Sequence, residues 1–222
     1  MIDPPVIEQK QQSRLILAGN LVAKPHIRYR ANPVIPVAEF VVATNHTWFD
    51  KKTNSYKDWT TFHPCHFEGQ DVEEHFLYAD KGQFLFLQGN LATITLAKGQ
   101  KTKDLVQVET LTVLGRGVHS GINQLFCHAT ISSSIKLVTT ESNSLLAEFQ
   151  VTVNQAGFQN DAVKVSGQKI ERSVHLWGKS AQYIHDKCQP GTEVLIEGAL
   201  NYQANDKSKQ FIDAKKVIIC PK

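Results

Sequence analysis

No apolar run in this chain approaches the roughly 18 residues that would span a bilayer. The opening "MIDPPVIEQKQQ" lacks the apolar core of a secretion signal and the Arg-rich, acid-poor character of a transit peptide. Those absences predict a soluble, cytoplasmic protein with no membrane partner. Cysteine is sparse: Cys65, Cys127, Cys188 and Cys220 form no C-x-x-C pair, which argues against a disulfide framework and a zinc ribbon. In "HPCH" a strand would place His63 and Cys65 on one face and His66 on the other, so three converging metal ligands are not expected. There is no G-x-x-x-x-G-K-[ST], no G-x-S-x-G and no paired-carboxylate motif, so neither an enzyme nor a cofactor is expected. A strong charge of one sign is missing as well. The net charge is +3, with 12 Lys+Arg against 12 Asp+Glu in residues 1–115 and 12 against 9 in residues 116–222. That excludes a DNA-coating polycation, but not nucleic-acid binding by a local arrangement of cations.

What the chain does have is itself, twice. "KGQFLFLQGNL" (81–91) and "PGTEVLIEGAL" (190–200) read as a turn glycine, an apolar strand, a glycine break and a second strand, 109 residues apart. The same shift lays "VAEFVV" (37–42) on "LAEFQV" (146–151) and "HFEGQ" (66–70) on "HLWGK" (175–179) without a gap. Later the register slips by three, so that "LVQVETLTV" (105–113) meets "FIDAKKVII" (211–219) at a shift of 106. The slip falls in the loops after Leu91 and Leu200, where insertions cost little. The repeat predicts two units, residues 12–114 and 122–220, joined by the glycine-rich "GRGVHSG" (115–121) as a flexible linker.

Within a unit the periodicity is mostly that of strands. "LILAGNLV", "VAEFVVAT" and "KDWTTFHPCHFEG" come first, then a helical segment at 70–82. "QFLFLQGNLATITL", bent at its glycine, and "LVQVETLTVL" follow. "KSAQYIHDKCQPG" takes the helix position in the second unit. Three strands, a helix and two strands predict an all-β protein of two tandem OB-folds, five-stranded Greek-key barrels each with a short helix between strands three and four. Alternation puts Phe62, Pro64, His66 and Glu68 on one side of their strand and Cys65 and Phe67 on the other. In the second unit Val174 and Leu176 point inward and Trp177 outward by the same rule. Phe40, Phe149, Phe84, Phe86 and Phe126 are expected in the core, and Trp59 is left open between core and surface.

The first unit carries Gly19-Asn20-Leu21, Pro25 to Tyr29, Ala38 to Phe40, Thr44 to Trp48 and Lys81-Gly82, and in that order and spacing it resembles bacterial single-stranded-DNA-binding proteins. The second unit matches through "AEF", "HLWGKSAQYI" and "PGTEVLIEGAL". The resemblance implies sequence-independent binding of single-stranded DNA, with RNA left open, by a nucleoid-associated protein of replication, recombination or repair. Such binding needs aromatic faces for bases and cations for phosphates. The family's stacking positions fall on Trp48 and Phe62, with Lys51 and Lys52 beside the first; two others fall on Glu68 and Leu96. The repeat places Trp177 where Glu68 stands and Gly157, next to Phe158, where Trp48 stands. Arg28, Tyr29, Lys81, Lys179 and Tyr202 complete the candidate binding set.

Family members assemble four barrels, which implies a homodimer here. Many carry an acid-ended tail that recruits replication and repair enzymes; this sequence ends at "VIICPK" after its last predicted strand, so recruitment of that kind is not expected. A PriB-like primosome component and a protein–protein adaptor built on OB-folds are the alternative readings.

Overall fold

The structure is a computed structural model that describes residues 12–51, 53–95, 102–117, 120–140, 143–155, 159–160, 163–164 and 168–221. The first unit contains β1 (Ser13–Leu21), β2 (His26–Arg30), β3 (Ile35–Asp50), β4 (Ser55–Glu68), α1 (Asp71–Phe76), β5 (Gln83–Thr95) and β6 (Thr102–Arg116). The second contains β7 (Ile122–Ile131), β8 (Lys136–Thr139), β9 (Leu145–Asn154), β10 (Gln159–Asn160), β11 (Val163–Lys164), β12 (Lys169–Trp177), α2 (Lys179–Lys187), β13 (Glu193–Tyr202) and β14 (Gln210–Ile219). Among the described residues no helix is long and apolar enough to cross a membrane.

Each unit closes on itself. The strands run β3-β4-β6-β5-β1 with β1 pairing back to β3, and β9-β12-β14-β13-β7 with β7 pairing back to β9. One parallel pairing in each, β4 with β6 and β12 with β14, completes the Greek-key barrel of an OB-fold. Alternation fills the interiors, with Leu15, Leu17, Val42 and Leu87 at 0% exposure in the first and Leu125, Val151, Val174 and Ile212 at 0% in the second. Each such side chain contributes about 1.5–3 kcal/mol by leaving water.

The repeat is visible in backbone geometry. Both fourth-position strands carry a bulge at the same place, between Gln88 and Gly89 and between Glu197 and Gly198. A Cβ on Gly89 would lie 2.2 Å from the Gln107 carbonyl oxygen, and one on Gly198 would lie 2.3 Å from that of Asp213. No side chain fits against backbone that close. The two glycines are 109 residues apart and the carbonyls they meet are 106 apart, so the slipped register holds in space.

Three expectations need correction. The helix expected over 70–82 is six residues long: Val72, Phe76 and Ala79 are all buried, but past Phe76 the backbone tightens into a turn, with the Ala79 N–H donating to the Phe76 carbonyl at 3.2 Å. The join is shorter than 115–121, since Gly115 and Arg116 finish β6 and the Gly121 N–H donates to the Asn45 carbonyl at 3.0 Å. Phe126 is not core. Leu125 and Cys127 take the inward positions of β7, leaving Phe126 41% exposed on the outside. Short edge strands β2 and β8, which the periodicity did not suggest, flank the ladder at its two ends.

More than a linker joins the barrels. β1 and β7 pair antiparallel from Ser13 with Cys127 to Ala18 with Ile122, so one twelve-stranded hydrogen-bonded ladder runs through both. On its far side the barrels meet through buried polar groups centred on Arg172.

Candidate nucleic-acid interface

Strands β3 and β4 are far longer than a barrel stave needs, and their pairing is unbroken from Val37 with Glu68 to Asp50 with Ser55. Their buried rows end at Thr44 and Thr61; from Asn45 to Phe49 and from Ser55 to Thr60 every residue is exposed. The hairpin therefore stands clear of the barrel with no core to bury its aromatics. Directly paired residues share a face. On one face Trp48 lies opposite Lys57, and Trp59 opposite His46. The His46 and Trp48 rings are near-parallel at 5.9 Å. On the other face Phe49 packs edge-on to Tyr56 at 5.2 Å, and Phe62 lies opposite Ala43. Trp48 and Phe62, expected to act together, thus present opposite sides of one ribbon. Trp59 resolves to the exposed surface, beside Trp48 and 62% accessible. Phe49 and Tyr56 are absent from the sequence-derived set, although strand lengths well beyond the usual stave would have flagged both. Lys51 is exposed in the hairpin turn, while Lys52 and Phe158 lie outside the described residues.

The remaining first-barrel candidates are largely engaged with acids. Arg28 bonds Glu39, and the Tyr29 hydroxyl donates to Glu73 of α1, which raises the phenol's pKa. Arg30 lies 3.4 Å from Glu68, and His66 lies 3.5 Å from the same carboxylate. The His66 hydrogen bond, helped by Arg30, holds the Glu68 carboxyl below its usual range. Lys81 is exposed in the turn before β5. The position where the family resemblance expects an aromatic is thus the centre of an ion-paired patch. His63 points inward as its parity requires. Its Nε2 bonds Thr44 at 2.9 Å, and burial lowers its pKa to about 3.

In the second barrel Trp177 ends β12 and is 46% exposed, next to the exposed Lys179 at the start of α2. Its indole faces Asp213, whose carboxyl is pushed up by burial and partly restored by that contact. Along the same outward row the His175 ring packs on Phe211 at 4.5 Å. Lys136, Lys169, Lys179 and Lys187 are exposed and form no ion pair among the described residues. Tyr202 is a correction. It sits between the barrels, its ring 5.7 Å from that of His63 and its hydroxyl accepting from Gln210 at 3.1 Å. The end of β13 runs beside the base of β4, where Thr61 donates to Asn201 at 3.2 Å, and this packing leaves the tyrosine half-buried.

Among the described residues no group of His, Cys, Asp or Glu could hold a metal. The built features are a projecting aromatic hairpin on one OB barrel and an outward tryptophan with unpaired lysines on the other. The single-stranded DNA binding protein from Thermus aquaticus has the same architecture. Its wild-type structure superposes with a TM-score of 0.76 at 18% identity, covering 96% of this chain and 95% of that one. A deletion variant of it gives 0.78 at 18% identity, covering 96% of both chains. At the sequence level, the model of the single-strand binding protein family matches residues 12–113 and again 122–219, one match per barrel. With nearly the whole length accounted for by the two matches, the chain belongs to the single-strand binding protein family.

Proposed function

We propose that this protein binds single-stranded DNA without sequence preference, stacking bases on Trp48, Trp59 and Phe62 of the hairpin and on Trp177 of the second barrel. The observation that carries this reading is the hairpin, which holds five large aromatics in water with nothing among the described residues to cover them. Exposed aromatic clusters mark binding surfaces, and a π-face accepts any base. Lys51 at the hairpin turn and Lys179 beside Trp177 meet phosphates. Single strands of this kind arise in replication, recombination and repair. Titrating intrinsic fluorescence with oligo-dT at two salt concentrations tests the proposal, because all three tryptophans lie at the proposed surface. Strong quenching and weaker affinity at higher salt are expected. Trp177→Ala should cost roughly 1–3 kcal/mol. Parent-like binding by that variant would make the second barrel structural, and no binding by the parent would leave an OB-fold adaptor in its place.

The active form is a homodimer of four barrels. The support is the outer face of the sheet β6-β5-β1-β7-β13-β14, where Phe126, Leu195 and Ile218 on adjacent strands are 41%, 47% and 45% exposed. Phe126 pairs with Arg14 on one side and Glu197 on the other, so the patch carries both signs of charge and suits a two-fold contact. Light scattering should give twice the 24.8 kDa chain mass, falling to the monomer in Leu195→Glu/Ile218→Glu. A parent monomer at micromolar concentration would rule the dimer out.

A further inference from the structure

Between the barrels, on the side away from the β1–β7 seam, β5 and β6 face β12 and β14 across a cleft of about 310 Å³. Of its thirteen lining residues only Ile170 is apolar and none is aromatic, so the cleft suits sugar and phosphate rather than stacked bases. Its floor is already satisfied. Arg172 bonds the Ala92 carbonyl and Thr93, and Asp104 accepts from Thr93 and from the Gln210 N–H. With Arg172 and Asp104 compensating one another, the rim carries Lys169 and Lys209 against Glu171 alone. Lys209 reaches across the gap, its Nζ donating to Thr102 of the first barrel at 2.7 Å.

The rim connects the two stacking regions. At one end Gln203 follows Tyr202, whose ring meets edge-on that of His63, which shares its face of β4 with Trp59. At the other end Ser173 lies on the outward row of β12, which starts at Lys169 and leads through His175 to Trp177. We infer that this cleft is where the sugar–phosphate backbone of a bound single strand crosses from the first barrel to the second, held by Lys169 and Lys209. The inference rests on the single-strand binding reading above.

The test compares oligo-dT of about 10 nucleotides, within the footprint of one barrel, with oligo-dT of about 30, long enough for two. For the longer oligomer, Lys169→Gln/Lys209→Gln should weaken binding and lower the salt slope by about 1.4, at about 0.7 per lost phosphate contact. For the shorter one it should match the parent. Lys209→Arg should keep the parent slope. A double variant with the parent's slope on the longer oligomer, or one that loses both oligomers alike, overturns the crossing while leaving single-strand binding intact. A parent that binds neither oligomer overturns the binding reading itself.

Discussion

Replacing Arg172 by alanine should destabilise the protein by about 3–5 kcal/mol in urea unfolding followed by tryptophan fluorescence. Arg172 is 2% exposed and belongs to β12, yet its guanidinium reaches β5 and β6 of the other barrel. Burial works against its charge, and Asp104 at 3.3 Å opposes that effect. Removing one partner leaves the Asp104 carboxylate, 4% exposed, without its cation, and leaves the Ala92 carbonyl without its donor. The pair is not expected to be worth that much in itself, because desolvating two charges offsets most of their attraction. Arg172→Met/Asp104→Leu should therefore recover much of the loss. A cost below about 1 kcal/mol for Arg172→Ala would mean that the barrels are held by the β1–β7 seam alone.

Trp48→Ala/Trp59→Ala should cost about 2–6 kcal/mol of oligo-dT affinity, the range for two stacked bases. The two side chains are diagonal neighbours on one face of the ladder, so their single effects should not add strictly. Phe62 sits on the opposite face. Trp48→Ala and Phe62→Ala should add to within about 0.5 kcal/mol if the strand wraps the hairpin edge and uses both sides. A parent-like Phe62→Ala would confine the strand to the Trp48 side. A parent-like Trp48→Ala/Trp59→Ala would remove the hairpin from the binding surface. The variants should fold, because these rings pack against no core.

Much of this arrangement is legible in residue order. A strand has a period of two, so alternation alone assigns Val174 and Leu176 to the inside and Trp177 to the outside, and their burial agrees. The shift of 109 carries turn glycine onto turn glycine, with Gly82 and Gly191 at φ of 84° and 93°, because only glycine adopts that backbone readily. Tryptophans and phenylalanines on a strand pair are visible too. Their faces are not, since the ladder register that puts Trp48 opposite Lys57 depends on where the hairpin turns.

Alternation says that two faces differ, but not which one the rest of the molecule will cover. Phe126 reads like the core phenylalanines Phe40 and Phe149, and it lies outside because β7 turns Leu125 inward and meets β1 at its edge. Tyr202 reads like a strand-end surface tyrosine until β4 arrives to cover part of it with His63. Arg172 reads like any charged residue on an alternating strand, and the groups that neutralise it come from Ala92, Thr93 and Asp104, far earlier in the chain. Local periodicity acts over a few residues and sets the strands, their sides and the doubled barrel. Contacts between barrels are made by backbone docking and by the hydrogen bonds it completes, so the seam, the polar bolt and the cleft above it arise only when both barrels are folded and packed.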